Sequence, residues 1–181
     1  MSDIGDMIND MTVRAQSPDK RIRAMLRGRG LPTVSFASPD GYAQYRDVES
    51  LASQVSTAIE RVMAGVDQGR RALIREKTHL STAEGPHWDA SRRRMHEELR
   101  DLKSWGESVK GVVRVETVGL RAWRVRIRPG SLERLKAGEF LREVNSAIAV
   151  AEHAHRVNEH EVKAKYLGSF GAPPLKHEVR R

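Results

Sequence analysis

Residues 111–130 read Gly-Val-Val-Arg-Val-Glu-Thr-Val-Gly-Leu-Arg-Ala-Trp-Arg-Val-Arg-Ile-Arg-Pro-Gly. Val113 and Val115 alternate with Val112, Arg114 and Glu116. Beyond Gly119, Trp123, Val125 and Ile127 alternate with Arg124, Arg126 and Arg128. Side chains along a strand point to opposite faces in turn, so a period of two predicts strand. Two such runs about one glycine predict an antiparallel hairpin with one apolar and one cationic face. Pro129-Gly130 ends the second strand.

Helical periodicity flanks the hairpin. Downstream, Leu141, Val144, Ile148, Ala151, His155, Asn158 and Val162 follow a coiled-coil-like 3/4 spacing, predicting a helix from about Glu139 to Leu167. Upstream, Trp88, Met95, Leu99 and Leu102 share a face with Arg92, and Gly106 is read as the end of that helix. Farther back, Asp47 is placed to cap a helix reaching about Leu80, with Val48, Leu51, Val55, Ala58, Val62, Gly65, Gly69 and Ala72 as its seam. Ser17-Pro18-Asp19 resembles a helix start, predicting a helix through Ile22, Met25 and Leu26 that stops at Gly28 and Gly30. Val34–Ala37 is read as a short strand and Ser38-Pro39-Asp40-Gly41 as a turn. Tyr42 to Arg46 fits a return strand or a helix start, and residues 1–16 a short amphipathic helix or a loose arm.

The fold class expected is α+β. Residues 1–87 form a mostly helical region with a short hairpin at 33–46, residues 88–170 a helix–antiparallel strands–helix domain, and residues 171–181 a flexible basic tail. Ser81 to Pro86 is the boundary. Val55-Ser56-Thr57-Ala58-Ile59 resembles Val144-Asn145-Ser146-Ala147-Ile148, 89 positions later, which makes the first region a candidate degenerate copy of the second.

The chain has 181 residues, no cysteine and a formal net charge of +8. Thiolate metal sites, disulfides and cysteine nucleophiles are therefore excluded. Residues 1–89 carry 12 basic and 12 acidic side chains, and residues 90–181 carry 20 and 12, so the whole excess lies in the second half. From Lys110 to Arg128 six cations face one acid, Glu116. Like charges crowded on one strand face repel unless an anion or a partner acid joins them. Glu152–Arg156, Glu159–Lys163 and Glu161–Lys165 sit four apart on the last helix and are read as solvated pairs.

The ordered set Glu97-Glu98-Leu99, Leu102, Gly106-Glu107-Ser108, Gly111 to Val115, Gly119, Arg124 to Pro129 and Ser131-Leu132 resembles the YbaB/EbfC family of nucleoid-associated DNA-binding proteins. Val144 to Ile148 resembles the family's last helix. The resemblance covers residues 88–170. It implies a YbaB-like α+β unit with long projecting helices, a homodimer in which the sheets of two subunits meet, and DNA binding without an enzymatic reaction. The family has Glu and Asp where this chain has Arg126 and Arg128, so this strand is more basic than the family pattern.

The expected function is therefore a cytoplasmic, nucleoid-associated protein that contacts double-stranded DNA through backbone phosphates. The expected contacts are Arg92, Arg93, Arg94, Arg114, Arg121, Arg124, Arg126 and Arg128, a set read without any aromatic interleaved for base stacking. The alternative is a protein–protein adaptor or secretion-associated scaffold that docks a partner on the N-terminal helices. No P-loop, dinucleotide fingerprint or nucleophile motif is present, so no catalysis, cofactor or metal is expected. The apolar faces lack the aromatics of membrane-surface helices, so no membrane partner is expected.

Overall fold

The computed structural model describes residues 4–78 and 90–167. The fold is α+β. The described residues form helix α1 (Ile4–Asp10), strands β1 (Thr12–Gln16), β2 (Ile22–Arg27) and β3 (Thr33–Phe36), a 3-10 turn at Tyr42–Gln44 and helix α2 (Val48–Thr78). They continue with helix α3 (Ala90–Arg100), strands β4 (Lys103–Glu107), β5 (Val113–Val118) and β6 (Ala122–Ile127), and helices α4 (Ser131–Arg134) and α5 (Ala137–Leu167). The strands form two antiparallel sheets in the orders β1-β2-β3 and β4-β5-β6. The expected boundary at Ser81 to Pro86, the residue Trp88 and the tail 171–181 lie outside the described residues.

The hairpin of residues 113–127 is present, with Val115 opposite Val125 and Arg114 opposite Arg126. The two long helices are also present, and Asp47 caps α2 by accepting the Ser50 N–H at 2.6 Å. Helix predominates over strand in the N-terminal region, yet the helix expected at 18–27 is absent. Ser17 turns the chain instead of capping a helix, and its Oγ accepts the Ile22 N–H at 3.0 Å. Ile22, Ala24 and Leu26 then point inward, while Arg23, Met25 and Arg27 point outward. Ser-Pro-Asp serves β-turns as well as helix starts, and the outward Met25 gave the strand a misleading helical spacing. The upstream helix of the second half stops at Arg100 rather than Gly106, and residues 103–107 form β4. At Gly106 a Cβ would strike the backbone of Ala147 and Ala151, so strand and helix touch without an intervening side chain.

One αβββα unit occurs twice. Strand and turn positions correspond 91 residues apart, long-helix positions 89 apart. The Ser17 Oγ bond recurs at Ser108, which accepts the Val113 N–H at 3.1 Å. Lys20 and Gly111 both take positive φ, 62° and 63°, and Gly28 and Gly119 take 60° and 56°. The Asp19 N–H reaches Gln54 Oε1 at 3.1 Å, and the Lys110 N–H reaches Glu143 Oε2 at 2.9 Å.

The units are joined by exchange of helix contacts. Asn145 of α5 accepts the Val34 N–H at 2.8 Å and donates to the Val34 carbonyl at 3.1 Å, pairing polar groups of edge strand β3. Ser56 of α2 accepts the Val125 N–H of β6 at 2.9 Å, and Glu60 accepts the Trp123 N–H at 2.9 Å. Each long helix therefore satisfies a strand edge of the other unit, where unpaired groups would be costly. One hydrophobic core spans both units and includes Leu51, Val55, Ile59, Phe140, Val144 and Ile148, each fully buried. Phe140 packs against Phe36 and Tyr42 with ring centroids 6.1 and 5.3 Å away. Burying a side chain of that size contributes about 3 kcal/mol.

Candidate nucleic-acid interface

Both sheets turn their apolar faces to the core and leave the opposite faces open. In β6 the burial of Trp123, Val125 and Ile127 forces Arg124 and Arg126 outward, and Arg128 follows at the strand end. Arg114 projects from β5 directly opposite Arg126. Glu116 partly neutralises this face. It lies 3.2 Å from Arg114 and 3.4 Å from Arg126. Arg121, Arg124 and Arg128 have no acidic partner among the described residues.

The remaining expected contacts lie elsewhere. Arg92, Arg93 and Arg94 are exposed on α3, where Arg92 and Arg93 already have interaction partners. Arg93, Arg100 and Arg121 meet around a depression of about 310 Å³ bordered by α3, the β5–β6 turn and α5. The eight arginines are thus divided between a sheet face and the α3 side of the second unit. Glu98 ties α3 to the end of α5, accepting from Lys165 at 2.8 Å and Tyr166 at 2.7 Å. Lys165 was expected to pair with Glu161 but pairs with Glu98. The Glu152–Arg156 and Glu159–Lys163 pairs form as expected.

Two features are additional to those expected. The open face of the first sheet carries Arg14, Arg23 and Arg27 among Thr12, Gln16, Met25, Thr33 and Ser35, with no acid on it. The even charge balance of residues 1–89 conceals this, because most of the acids lie on helices and in turns while these arginines share one sheet face. The period-two alternation of Ile22 to Arg27 was the signal for it. The second feature is Trp105. It stands outward on β4, 52% exposed, opposite Glu116 and with the Arg114 guanidinium 4.3 Å from its ring centroid. An aromatic is therefore interleaved with the strand arginines, contrary to expectation. Reading residues up to Gly106 as helix had removed it from the sheet.

The polar interior of the second unit lies where α5 crosses β4. Ser104 Oγ is 3.4 Å from His155 Nδ1 and accepts from Asn158 Nδ2 at 3.3 Å. Burial holds the His155 imidazole below its usual range, against the opposing pull of Glu159 and Glu152. In the first unit, burial raises the Asp19 carboxyl, but bonds from Ser17, Tyr45 and the Arg21 amide, with the Arg21 charge, outweigh it and leave Asp19 below the ordinary value.

Comparison of the sequence with family models and with curated proteins finds no match. Among the described residues no helix is long and apolar enough to cross a membrane.

Proposed function

We propose that the chain is a non-enzymatic, nucleoid-associated DNA-binding protein of the cytoplasm, contacting duplex DNA through backbone phosphates on its open sheet faces. The observation that carries this reading is the charge on those faces. Arg14, Arg23 and Arg27 share one face without an acid, and on the other, which carries Glu107 and Glu116, Glu116 contacts Arg114 and Arg126 while Arg124 has no acidic partner among the described residues. Strand geometry holds successive outward arginines about 7 Å apart on a rigid support. Guanidinium groups so placed suit phosphate oxygens, and contacts of this kind carry little sequence information.

The adaptor reading is less well supported. The α2 seam it would use is buried within the chain, with Leu51, Val55, Ala58, Val62 and Val66 in the core. Each of the two units of one chain already satisfies a strand edge of the other, so one chain is proposed as the binding unit, with the homodimer that the family resemblance implies as the other outcome. Size exclusion with and without duplex reports that stoichiometry.

The test is duplex affinity against salt for the wild type, for Arg124, Arg126 and Arg128 changed together to Ser, and for Arg14, Arg23 and Arg27 changed together to Ser. Each lost phosphate contact should flatten the log–log slope by about 0.9. A flat wild-type plot, or affinity unchanged in both triple variants, would sink the proposal.

A further inference from the structure

Trp105 is placed where a folding role would not put it. The ring stands on the open face of β4, half exposed, and its register partner on β5 is the acid Glu116. Trp123, by contrast, is 4% exposed and donates its indole N–H to the Leu120 carbonyl at 3.0 Å. The matching position of the first unit is Arg14, so the scaffold closes without an aromatic there.

The surroundings of Trp105 indicate what would cover it. A shallow depression of about 420 Å³ lies beside it on the sheet. Trp105, Val118 and Ala122 give it an apolar floor, and Lys103, Arg114 and Arg124 line it together with one acid, Glu116, which Arg114 holds at 3.2 Å. Arg114 approaches the ring within cation–π distance. With Glu116 paired to Arg114, Lys103 and Arg124 leave the lining net positive, and a flat apolar surface of that charge suits a flat heterocycle that carries anionic groups on both sides.

We propose that this part of the second sheet binds single-stranded nucleic acid, with one unpaired base stacked on Trp105 and the flanking phosphates held by Lys103 and Arg124. The assignment rests on the phosphate-binding reading above and adds the substrate class. In a duplex the faces of the bases are occupied by their neighbours, so Trp105 has nothing to stack on. In a single strand they are free, and a base on an aromatic side chain is a sequence-tolerant contact. Duplex DNA would still be held by the arginines, without use of the ring.

The experiment uses the full chain and two labelled probes of equal length, an oligo-dT strand and a mixed-sequence duplex. Anisotropy is measured for the wild type, Trp105→Ala and Trp105→Phe, with circular dichroism to confirm folding. Trp105→Ala should weaken oligo-dT binding by about 10-fold or more, within the range of single-base stacking losses. Trp105→Phe should recover most of that loss, and duplex affinity should stay within about 2-fold. Oligo-dT should also quench tryptophan emission more in the wild type than in Trp105→Phe, a difference that belongs to the Trp105 ring. Equal losses on both probes, or no loss on oligo-dT, overturn the stacking site while leaving the phosphate reading in place. Binding of neither probe overturns both. An acidic peptide with one aromatic that binds in a Trp105-dependent way, where oligo-dT does not, assigns the surface to protein recognition and overturns the proposal.

Discussion

In the second unit the strand makes room for the helix. Gly106 of β4 leaves space for the α5 backbone at Ala147 and Ala151. In the first unit the matching strand residue is Ala15, and the helix makes the room instead, at Gly65 against Val13 and Gly69 against Met11. The polar cluster Ser104, His155 and Asn158 corresponds to Val13, Val66 and Gly69. On the open faces Trp105 corresponds to Arg14, and Glu116 to Met25. What the units share is backbone bonding: serine-closed turns, glycines at positive φ, and a helix side chain on the other unit's strand edge. The repeated unit thus keeps the parts that satisfy buried backbone groups, where an unmade bond is costly, and varies the solvated faces, where substitution costs little.

The largest expected effect comes from breaking the packing asymmetry. Gly106→Ala places a methyl into the α5 backbone, which cannot move alone, and should cost about 3 kcal/mol. Gly65→Ala meets only the Val13 Cγ1 at 2.7 Å, the end of a side chain that can turn aside. Its helix propensity gain of about 1 kcal/mol offsets that contact. Urea unfolding midpoints should separate the two variants clearly, and equal losses would refute the asymmetry.

A smaller effect should come from the faces. Glu116→Gln leaves Glu107 as the one acid on the open strand face of the second sheet and releases Arg114 and Arg126 from their present partner. Duplex affinity at low salt should rise roughly 3-fold, as expected for a partly exposed pair worth well under about 1 kcal/mol. Unchanged or weaker binding in a salt titration would mean that these two arginines do not face phosphate.

The smallest effect should be the pH response of the buried histidine. Burial holds the pKa of His155 in the fold below the value of about 6.5 at which an unfolded histidine titrates. Below that value the unfolded chain gains a proton that the folded chain resists. Stability from this site is therefore complete above pH ~6.5 and falls as pH drops through the window toward the lower folded value. His155→Val, copying Val66, should reduce the drop in Tm between pH 7.5 and 5.5 by about 2 °C. An identical drop in both proteins would exclude His155 as its source.

Legibility varied with the length and purity of each pattern. The hairpin of β5 and β6 and the helices α2 and α5 were readable because many residues repeat one period. The strand β2 was not, since Ile22, Met25 and Leu26 satisfy helical spacing as well as Ile22, Ala24 and Leu26 satisfy strand spacing. The strand β4 was obscured by Gly106, whose small size resembles a helix stop until the α5 backbone is seen against it. The candidate site was legible on β5 and β6, where the arginines alternate with apolar residues. It was not legible on the first sheet or at Trp105, since both depend on strands that the sequence presented as helix.

The sequence by itself determined the α+β class, the basic second hairpin, the buried place of His155 and the short likeness between the two long helices, since each is local periodicity or composition. The tertiary structure alone decided that the unit occurs twice, that each helix completes the other unit's strand edge, and that both open faces are cationic. Those facts depend on residues far apart in the chain, Asn145 with Val34 and Ser56 with Val125, brought together when buried polar groups find their partners.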